Sequence, residues 1–394
     1  MHDKARLVTN ERVWMDGNAL SQLDGVARDP HCVQAVGMPD LHGGAVTPIG
    51  AVFATTHISP SLIGGDIGCG ACFVPTTKKP PSIDKADRRV RSAFSHTEET
   101  VIDLGRVWEH GLTALPEDLH DIVDAMGFDR SPESGIALPE DLASDGFRKQ
   151  IGSIGGGNHF AELVKVHRIH DREVAAEQGI VRDRLGVLVH SGSRGLGKAV
   201  GRQWPERYLD PEQELAYLAQ MHGAIRFAKV NRLVLVARML EAIGAFRPDK
   251  LGRGIDVVHN DVQRVELDDA PVWLHRKGAA PARSGQLTVV LGSRGATSWI
   301  LRGTGSAHGL WSVAHGAGRR MTRTEAMQKL KHRYSRSEAS RSKLGSRVVC
   351  QRSEVLFEEH PDAYKPVEPV VQALIEAGLA TPVAELTPLI TVKT

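Results

Sequence analysis

Aromatic residues make up only 5% of the chain, and there are four cysteines, Cys32, Cys69, Cys72 and Cys350. So few cysteines exclude a disulfide-built scaffold, and 394 residues supply ample material for a hydrophobic core without one. No apolar run approaches the ~18 residues that span a bilayer. The opening Met-His-Asp-Lys-Ala-Arg lacks the apolar stretch of a signal peptide. Together these absences predict a soluble protein in a reducing compartment, the cytoplasm, with no membrane partner. There is no Walker A motif, and no G-x-G-x-x-G follows a first strand, which argues against the common nucleotide folds. Net charge is nearly absent as well: 49 Lys+Arg against 47 Asp+Glu leaves 49 − 47 = +2. Taken alone, that balance argues against a polyanionic partner. What the chain does have is glycine, 40 of 394 residues, above the usual ~7% and a sign of many tight turns. A 24% charged, 41% hydrophobic composition excludes disorder.

The segment Val33 to Val74 is apolar and glycine-rich, with short β-type runs at Ile49–Thr55 and Leu62–Ile63. The character turns acidic from Leu115 to Phe147, where Ala-Leu-Pro-Glu-Asp-Leu occurs twice, from Ala114 and from Ala137. Proline followed by acids reads as a duplicated helix start. Leu185–His190 reads as a buried strand feeding a Gly/Ser turn. Pro211–Gly244 has helical spacing, read as two helices. Ile255–His259, Val272–His275 and Leu287–Leu291 read as strands, Asp362–Gly378 as a C-terminal helix, and Ile390–Val392 as a last strand. Strands and helices alternate without a Rossmann order and without a linker. The expected fold is mixed α/β (α+β): one large domain over residues 1–394, central mixed sheets flanked by helices, and an acidic helical insertion at about 112–147.

Chemistry concentrates where histidines, one cysteine and one aspartate stand beside glycine or asparagine at element ends. Asp66-Ile67-Gly68-Cys69-Gly70 holds a carboxylate and a thiol three residues apart. Gly155-Gly156-Gly157-Asn158-His159-Phe160, His190-Ser191-Gly192-Ser193-Arg194-Gly195 and Asp256-Val257-Val258-His259-Asn260 add three histidines. A single strand-end histidine is more often structural than a ligand, and Asp66 alone reads as a turn former. Jointly, three imidazoles, a carboxylate and a thiolate are the donor types that hold a first-row transition metal, or two if the thiolate bridges. Cys69-Gly70-Ala71-Cys72 also admits a redox or half-zinc reading, but no second CxxC and no thioredoxin-like context accompany it. Gly292-Ser293-Arg294-Gly295 after the Leu287–Leu291 run, with Ser298 nearby, suits phosphate oxygens. His315-Gly316-Ala317-Gly318-Arg319 offers a histidine with open space on its C-terminal side.

These motifs, with Met38-Pro39-Asp40-Leu41-His42 and His275-Arg276-Lys277-Gly278, occur in the order found in the RtcB family. The chain resembles that family from about Val33 to Lys393. The resemblance implies a GTP- and manganese-dependent RNA ligase. On it, Asp66, Cys69, His159, His190 and His259 are ligands of two Mn²⁺ ions with Cys69 bridging, and His315 is the guanylylated catalytic residue. Asn158, Glu162, Ser293, Ser298, His315, Gly316, Ala317, Gly318, Tyr364 and Lys393 match GTP contacts. Arg194, His275, Arg276, Lys277 and Arg319 are candidates for RNA phosphates. The implied reaction joins an RNA 3′-phosphate or 2′,3′-cyclic phosphate end to a 5′-hydroxyl end through histidine–GMP and a GMP-activated 3′ end. Halves of cleaved tRNA and nicked ribosomal RNA are the candidate substrates. A monomer is expected, with an accessory activating protein as a candidate partner.

Other readings stay open at this level. Thiolate with imidazole suits Zn²⁺ better than Mn²⁺ by ligand chemistry alone, so manganese rests on the resemblance. A two-metal phosphoesterase would open cyclic phosphates without needing the His315 turn or Lys393, and a non-catalytic RNA-binding descendant is the third reading. Two departures from the family stand out. Arg294 occupies a position in the glycine turn where an uncharged Met is common, which suggests an extra cation for phosphate or RNA. Ala314 stands where a Cys is common. The near-zero charge also resolves into two blocks: nine acids and one base over Pro116–Gly146, then eleven bases and two acids over Arg319–Arg352. The basic block begins four residues after His315, where an RNA backbone would arrive.

Overall fold

A computed structural model describes residues 1–95, 102–131, 137–205 and 207–394. Part of the acidic segment, 132–136, lies outside the described residues. In chain order the strands are β1 (Ala5–Leu7), β2 (Cys32–His42), β3 (Ile49–Thr55), β4 (Gly70–Pro75), β5 (Phe160–Ile169), β6 (Leu185–Ser191), β7 (Ile255–Val258) and β8 (Asn260–Leu267). They continue with β9 (Ala270–Lys277), β10 (Ala279–Pro281), β11 (Leu287–Val290), β12 (Ser298–Gly303), β13 (Ser312–Ala314), β14 (Arg347–Cys350) and β15 (Ala380–Lys393). One sheet has the order β1-β2-β3-β9-β8, a larger one β11-β12-β15-β5-β6-β4-β7 with β14 on β15, and β10 pairs with β13. The fold is mixed α/β, as expected. Early strands pair with late ones in both large sheets, so the chain interleaves rather than dividing along its length.

Period-two alternation gives the larger sheet two buried faces. On β4, Cys72 and Val74 enter the core under the long helix Pro211–Ala242, while Ala71 and Phe73 enter the opposite core with Val164, Leu188 and Ile300. Cys72 is thus a core residue, and the CxxC reading falls away. The long helix is one element, not the two expected. Gly223 within it is no break, because the Trp108 ring lies where its Cβ would be. Its start is fixed by a capping box between Asp210 and Gln213, with Pro211 in the first turn.

Other local readings shift for equally local reasons. Leu62–Ile63 ends a helical turn, Pro60–Ile63, rather than forming a strand. The C-terminal helix is Val367–Glu376, and the last strand spans all fourteen residues of β15. The repeated hexapeptide has two fates. After Pro116 the helix Glu117–Ala125 forms, since Leu119, Ile122 and Val123 give it a buried stripe. After Pro139 only the 3₁₀ turn Glu140–Leu142 forms, because Ala143-Ser144-Asp145-Gly146 supplies no continuation and Ser144 caps a new turn. Among the described residues no helix is long and apolar enough to cross a membrane.

Candidate active site

The antiparallel register of the larger sheet assembles the donors. β4 begins at Gly70, which faces Ser191 at the end of β6 and Val258 at the end of β7. His190 on β6 faces Phe160, the first residue of β5. Cys69, His159, His190 and His259 therefore meet at one edge of four neighbouring strands, all buried, with Asp66 half-buried beside them. Cys69 Sγ lies 3.2 Å from His159 Nε2 and 3.4 Å from His190 Nε2. His190 and His259 bring their Nε2 atoms within 3.3 Å, and Asp66 Oδ2 is 3.6 Å from His159 Nε2. The donors fall into two groups, Cys69–His190–His259 and Asp66–Cys69–His159, that share the sulfur.

Their protonation suits metal binding. Burial holds His190 and His259 well below the usual histidine range, so both are neutral with lone pairs to offer. The His190 Nδ1 hydrogen points to the Asn158 carbonyl at 3.3 Å, which leaves Nε2 turned inward. Burial would raise Asp66, but the bond to and charge of His159 outweigh it and the carboxyl is lowered. Burial and the adjacent Asp66 push the Cys69 thiol up. A divalent cation between these groups relieves that cost, since it favours the thiolate. The donor set fits one or two transition metal ions.

A buried scaffold holds the ligand loops. Arg232 on the long helix is fully buried, paired with both oxygens of Asp256 at 2.6 and 2.8 Å, and donates to the carbonyls of Gly68 and Ser191. Asn231 accepts from Gly152 N and donates to Ser153 O, Ser191 Oγ and Gly192 O. Sequence reasoning missed both. The available signal was two polar residues inside the apolar run Val230–Val236.

His315 follows β13, its ring centroid 4.8 Å from that of His259 and 6.3 Å from that of His190. Its Nδ1 is 2.7 Å from Asp40 Oδ2, on β2. A carboxylate only accepts, so Nδ1 carries a proton toward Asp40, and in the neutral imidazole the lone pair lies on Nε2. Lys365 donates to the carbonyls of Pro39 and Leu41 and so fixes the segment carrying Asp40. Burial lowers that lysine to about 8. Asp40 and Lys365 were not singled out, although Asp40 stands inside the Met38–His42 motif.

The turn 292–297 joins β11 to β12 and lies against the His315 turn through the Leu291–Gly316 bridge. Ser293 and Ser298 are buried there, and Ser298 Oγ accepts from Gly292 N at 3.0 Å while keeping its own hydrogen. Next to the turn stands a polar cluster. Glu162 accepts from Thr391 Oγ1 at 2.6 Å, and burial raises it to about 7. Burial lowers Lys393 to about 8. Glu359, which sequence reasoning also missed, is buried and accepts from Arg319 Nη1 (3.1 Å), Arg323 Nε (3.2 Å) and the Tyr364 hydroxyl, with Lys393 Nζ at 4.0 Å. These charges outweigh the effect of burial and hold its carboxyl low.

The structure brings most, but not all, of the expected residues together. His275 is fully buried and accepts from Ser59 N, and Arg276 is fully buried between Asp261 and Ser312. Neither can meet RNA. Lys277 turns to Thr47 (2.7 Å), and burial lowers it to about 8. Arg319 spends its guanidinium on Glu359, Tyr364 and the carbonyls of Met321 and Glu358. Arg194 does remain at the metal group, with Nη1 3.3 Å from His159 Nδ1. Arg294 is not a surface cation: it is buried and donates to the carbonyls of Leu356 and Glu359 at the end of the helix Ser353–Glu358.

A model of the family described as "tRNA-splicing ligase RtcB" matches residues 22–394. Over 402 residues the chain is 36% identical to the "RNA-splicing ligase RtcB2" of Escherichia coli, covering all of this chain and 96% of that protein. It is 31% identical to the "RNA-splicing ligase RtcB" of Mycobacterium tuberculosis, covering 94% of this chain and all of that protein. Similarity to the "tRNA-splicing ligase RtcB" of Thermococcus kodakarensis is 30%, over 94% of this chain and 90% of that one.

Proposed function

The chain belongs to the RtcB family, and from that premise we propose that it is an RNA ligase. It joins a 3′-phosphate or 2′,3′-cyclic phosphate end to a 5′-hydroxyl end through a histidine–GMP intermediate on His315. The observation that carries this reading is the Asp40–His315 pair beside the Cys69 donor group. A simple two-metal phosphoesterase would not need the His315-Gly316-Ala317-Gly318 turn together with the buried Lys393.

The free Nε2 of His315 attacks the α-phosphorus of GTP. An N–P bond forms, the bond to the bridging oxygen breaks, and pyrophosphate leaves. The imidazole gains positive charge as both nitrogens become substituted, and the Asp40 carboxylate offsets it through Nδ1–H. A 2′,3′-cyclic end is first opened by water, which breaks the P–O2′ bond and leaves a 3′-phosphate and a 2′-hydroxyl. An oxygen of the 3′-phosphate then takes the GMP, breaking the N–P bond and returning His315 to its starting state. The 5′-hydroxyl attacks the activated RNA phosphorus, loses its proton and expels GMP. Asp66, Cys69, His159, His190 and His259 would hold divalent metal, two Mn²⁺ on family grounds, which supplies charge neutralisation at the reacting phosphates. Ser293, Ser298 and the Gly316-Ala317-Gly318 backbone are suited to phosphate and ribose oxygens. Asn158, Glu162, Tyr364 and Lys393 line the remaining nucleotide position, with Glu162 and Lys393 offering opposite charges to a base edge. On the same reading the protein is a cytoplasmic monomer, open to an accessory activating protein.

Incubation with [α-³²P]GTP and Mn²⁺ tests this. The protein should become labelled, and His315→Ala should carry no label. An unlabelled wild type, or a variant labelled as well as wild type, refutes the reading.

A further inference from the structure

The basic block has a definite place in the fold. Its two acids cap helices: Glu325 closes a capping box with Thr322 at the start of the helix Arg323–Arg333, and Glu338 does so with Ser335 before Arg336–Ala339. The ion pairs of the block are those of Arg319 and Arg323 with Glu359, Lys329 with Glu325, Arg333 with Asp362, and Arg347 with Asp84 and Asp87. Arg320, Lys331, Arg336, Arg341, Lys343 and Arg352 are left exposed and, among the described residues, outside any close ion pair. Arg320 does donate to the Asp362 carbonyl, Lys331 and Arg352 both lie near Glu354, and Lys343 lies near Asp362. Cations in such excess over their acidic neighbours are stabilised by a polyanion.

Both ends of the block abut the site. At one end Arg323 Nη2 lies 2.6 Å from the position a Cβ would take on Gly157, two residues before His159. At the other, Ser342, between Arg341 and Lys343, packs on Gly295 of the turn 292–297, its Oγ 3.2 Å from where a Cβ on that glycine would lie. Arg323 and Ser342 thus tie the block that carries the exposed cations to the metal loop and to the turn 292–297.

We infer that Lys331, Arg336, Arg341, Lys343 and Arg352 form an anchor for the sugar–phosphate backbone of the RNA strand whose end enters the site. The inference rests on the ligase reading for its substrate and adds the surface that holds it. A backbone contact of this kind is independent of sequence, and it is separate from the groups that transfer GMP.

The triple variant Lys331→Gln, Arg336→Gln, Lys343→Gln tests this with an RNA oligonucleotide ending in 3′-phosphate. Affinity is measured by fluorescence anisotropy across a NaCl series. Each lost phosphate contact removes about 0.7 from the slope of log K against log salt for a single strand, so the slope should fall by about 2. Affinity at 0.1 M salt should then drop roughly 100-fold. Labelling of His315 by [α-³²P]GTP should match wild type, and the charge-conserving variant Lys331→Arg, Arg336→Lys, Lys343→Arg should bind RNA as wild type does. Unchanged RNA affinity and slope overturn the anchor and leave an acidic protein as the partner of this surface. Reduced labelling in the Gln variant also overturns it, because the residues would then serve the nucleotide. A wild type that binds RNA with a steep slope but takes no label refutes the ligase reading while leaving the anchor standing.

Discussion

Asp40 Oδ2 stands 2.7 Å from His315 Nδ1, and the same oxygen is 3.3 Å from the Gly316 amide. One buried carboxylate thus sets the tautomer, the ring angle and the start of the turn that follows. Asp40→Asn retains the size but loses the charge that balances the substituted imidazole. The rate of His315 labelling should fall about 10²- to 10³-fold. Metal binding, followed by isothermal titration, should be unaffected because Asp40 touches none of the donors. Equal loss of both would show a general collapse of the site.

If Glu162 and Lys393 line the proposed nucleotide position, they give it a pH dependence. Burial raises the glutamate to about 7 and lowers the lysine to about 8. The glutamate is ionised above its value and the lysine charged below its own, so both carry charge together only between about 7 and 8. The KM for GTP in the labelling reaction should be lowest there and rise on either side. Glu162→Gln should remove the acidic limb alone. The raised glutamate also has a stability consequence. Its proton is bound more tightly when folded, so the stability it contributes is present at low pH and is lost as pH rises through about 7. At pH 8, then, Glu162→Gln should unfold at higher urea than wild type.

Glu359 is the buried partner of Arg319 and Arg323 and accepts from Tyr364. Removing one member of such a group leaves uncompensated charge inside. Glu359→Gln should lower stability by roughly 3 kcal/mol in urea unfolding. The carboxyl is depressed when folded, so its contribution is present above the unfolded value and disappears only as pH falls through the folded one. The difference between variant and wild type should therefore narrow in acid and hold through neutral pH.

Arg294 caps the carbonyls of Leu356 and Glu359. Arg294→Met leaves both without a donor, a loss of roughly 2 kcal/mol. It should leave the salt slope of RNA binding unchanged, since the guanidinium is enclosed. A fall in that slope would restore the surface role its sequence position suggested.

Gly278 has φ +63°, and a Cβ there would come within 3.0 Å of His315 Cε1 and 2.6 Å of Ile49 Cγ2. Gly278→Ala should slow His315 labelling by displacing the ring, with the donor group still able to bind metal.

What was legible in the sequence was local chemistry. The donor residues, the His315 turn and the phosphate turn are each encoded by a few adjacent side chains whose types have few uses. The runs Ile49–Thr55 and Leu185–His190 could be read because short apolar β-type stretches bounded by proline, glycine or polar residues leave little choice. The single long helix could not be, since Gly223 acquires its meaning only from Trp108, more than a hundred residues earlier. The same holds for the fates of the basic residues. Arg276, Arg294 and Arg319 look like the exposed cations of the 331–352 block in sequence, yet buried carboxylates and carbonyls from distant strands and helices take their hydrogens. Sequence sets which groups carry charge and lone pairs. Only tertiary packing decides which of them are left free, because a donor is spent or spared by the partner that folding brings within 3 Å.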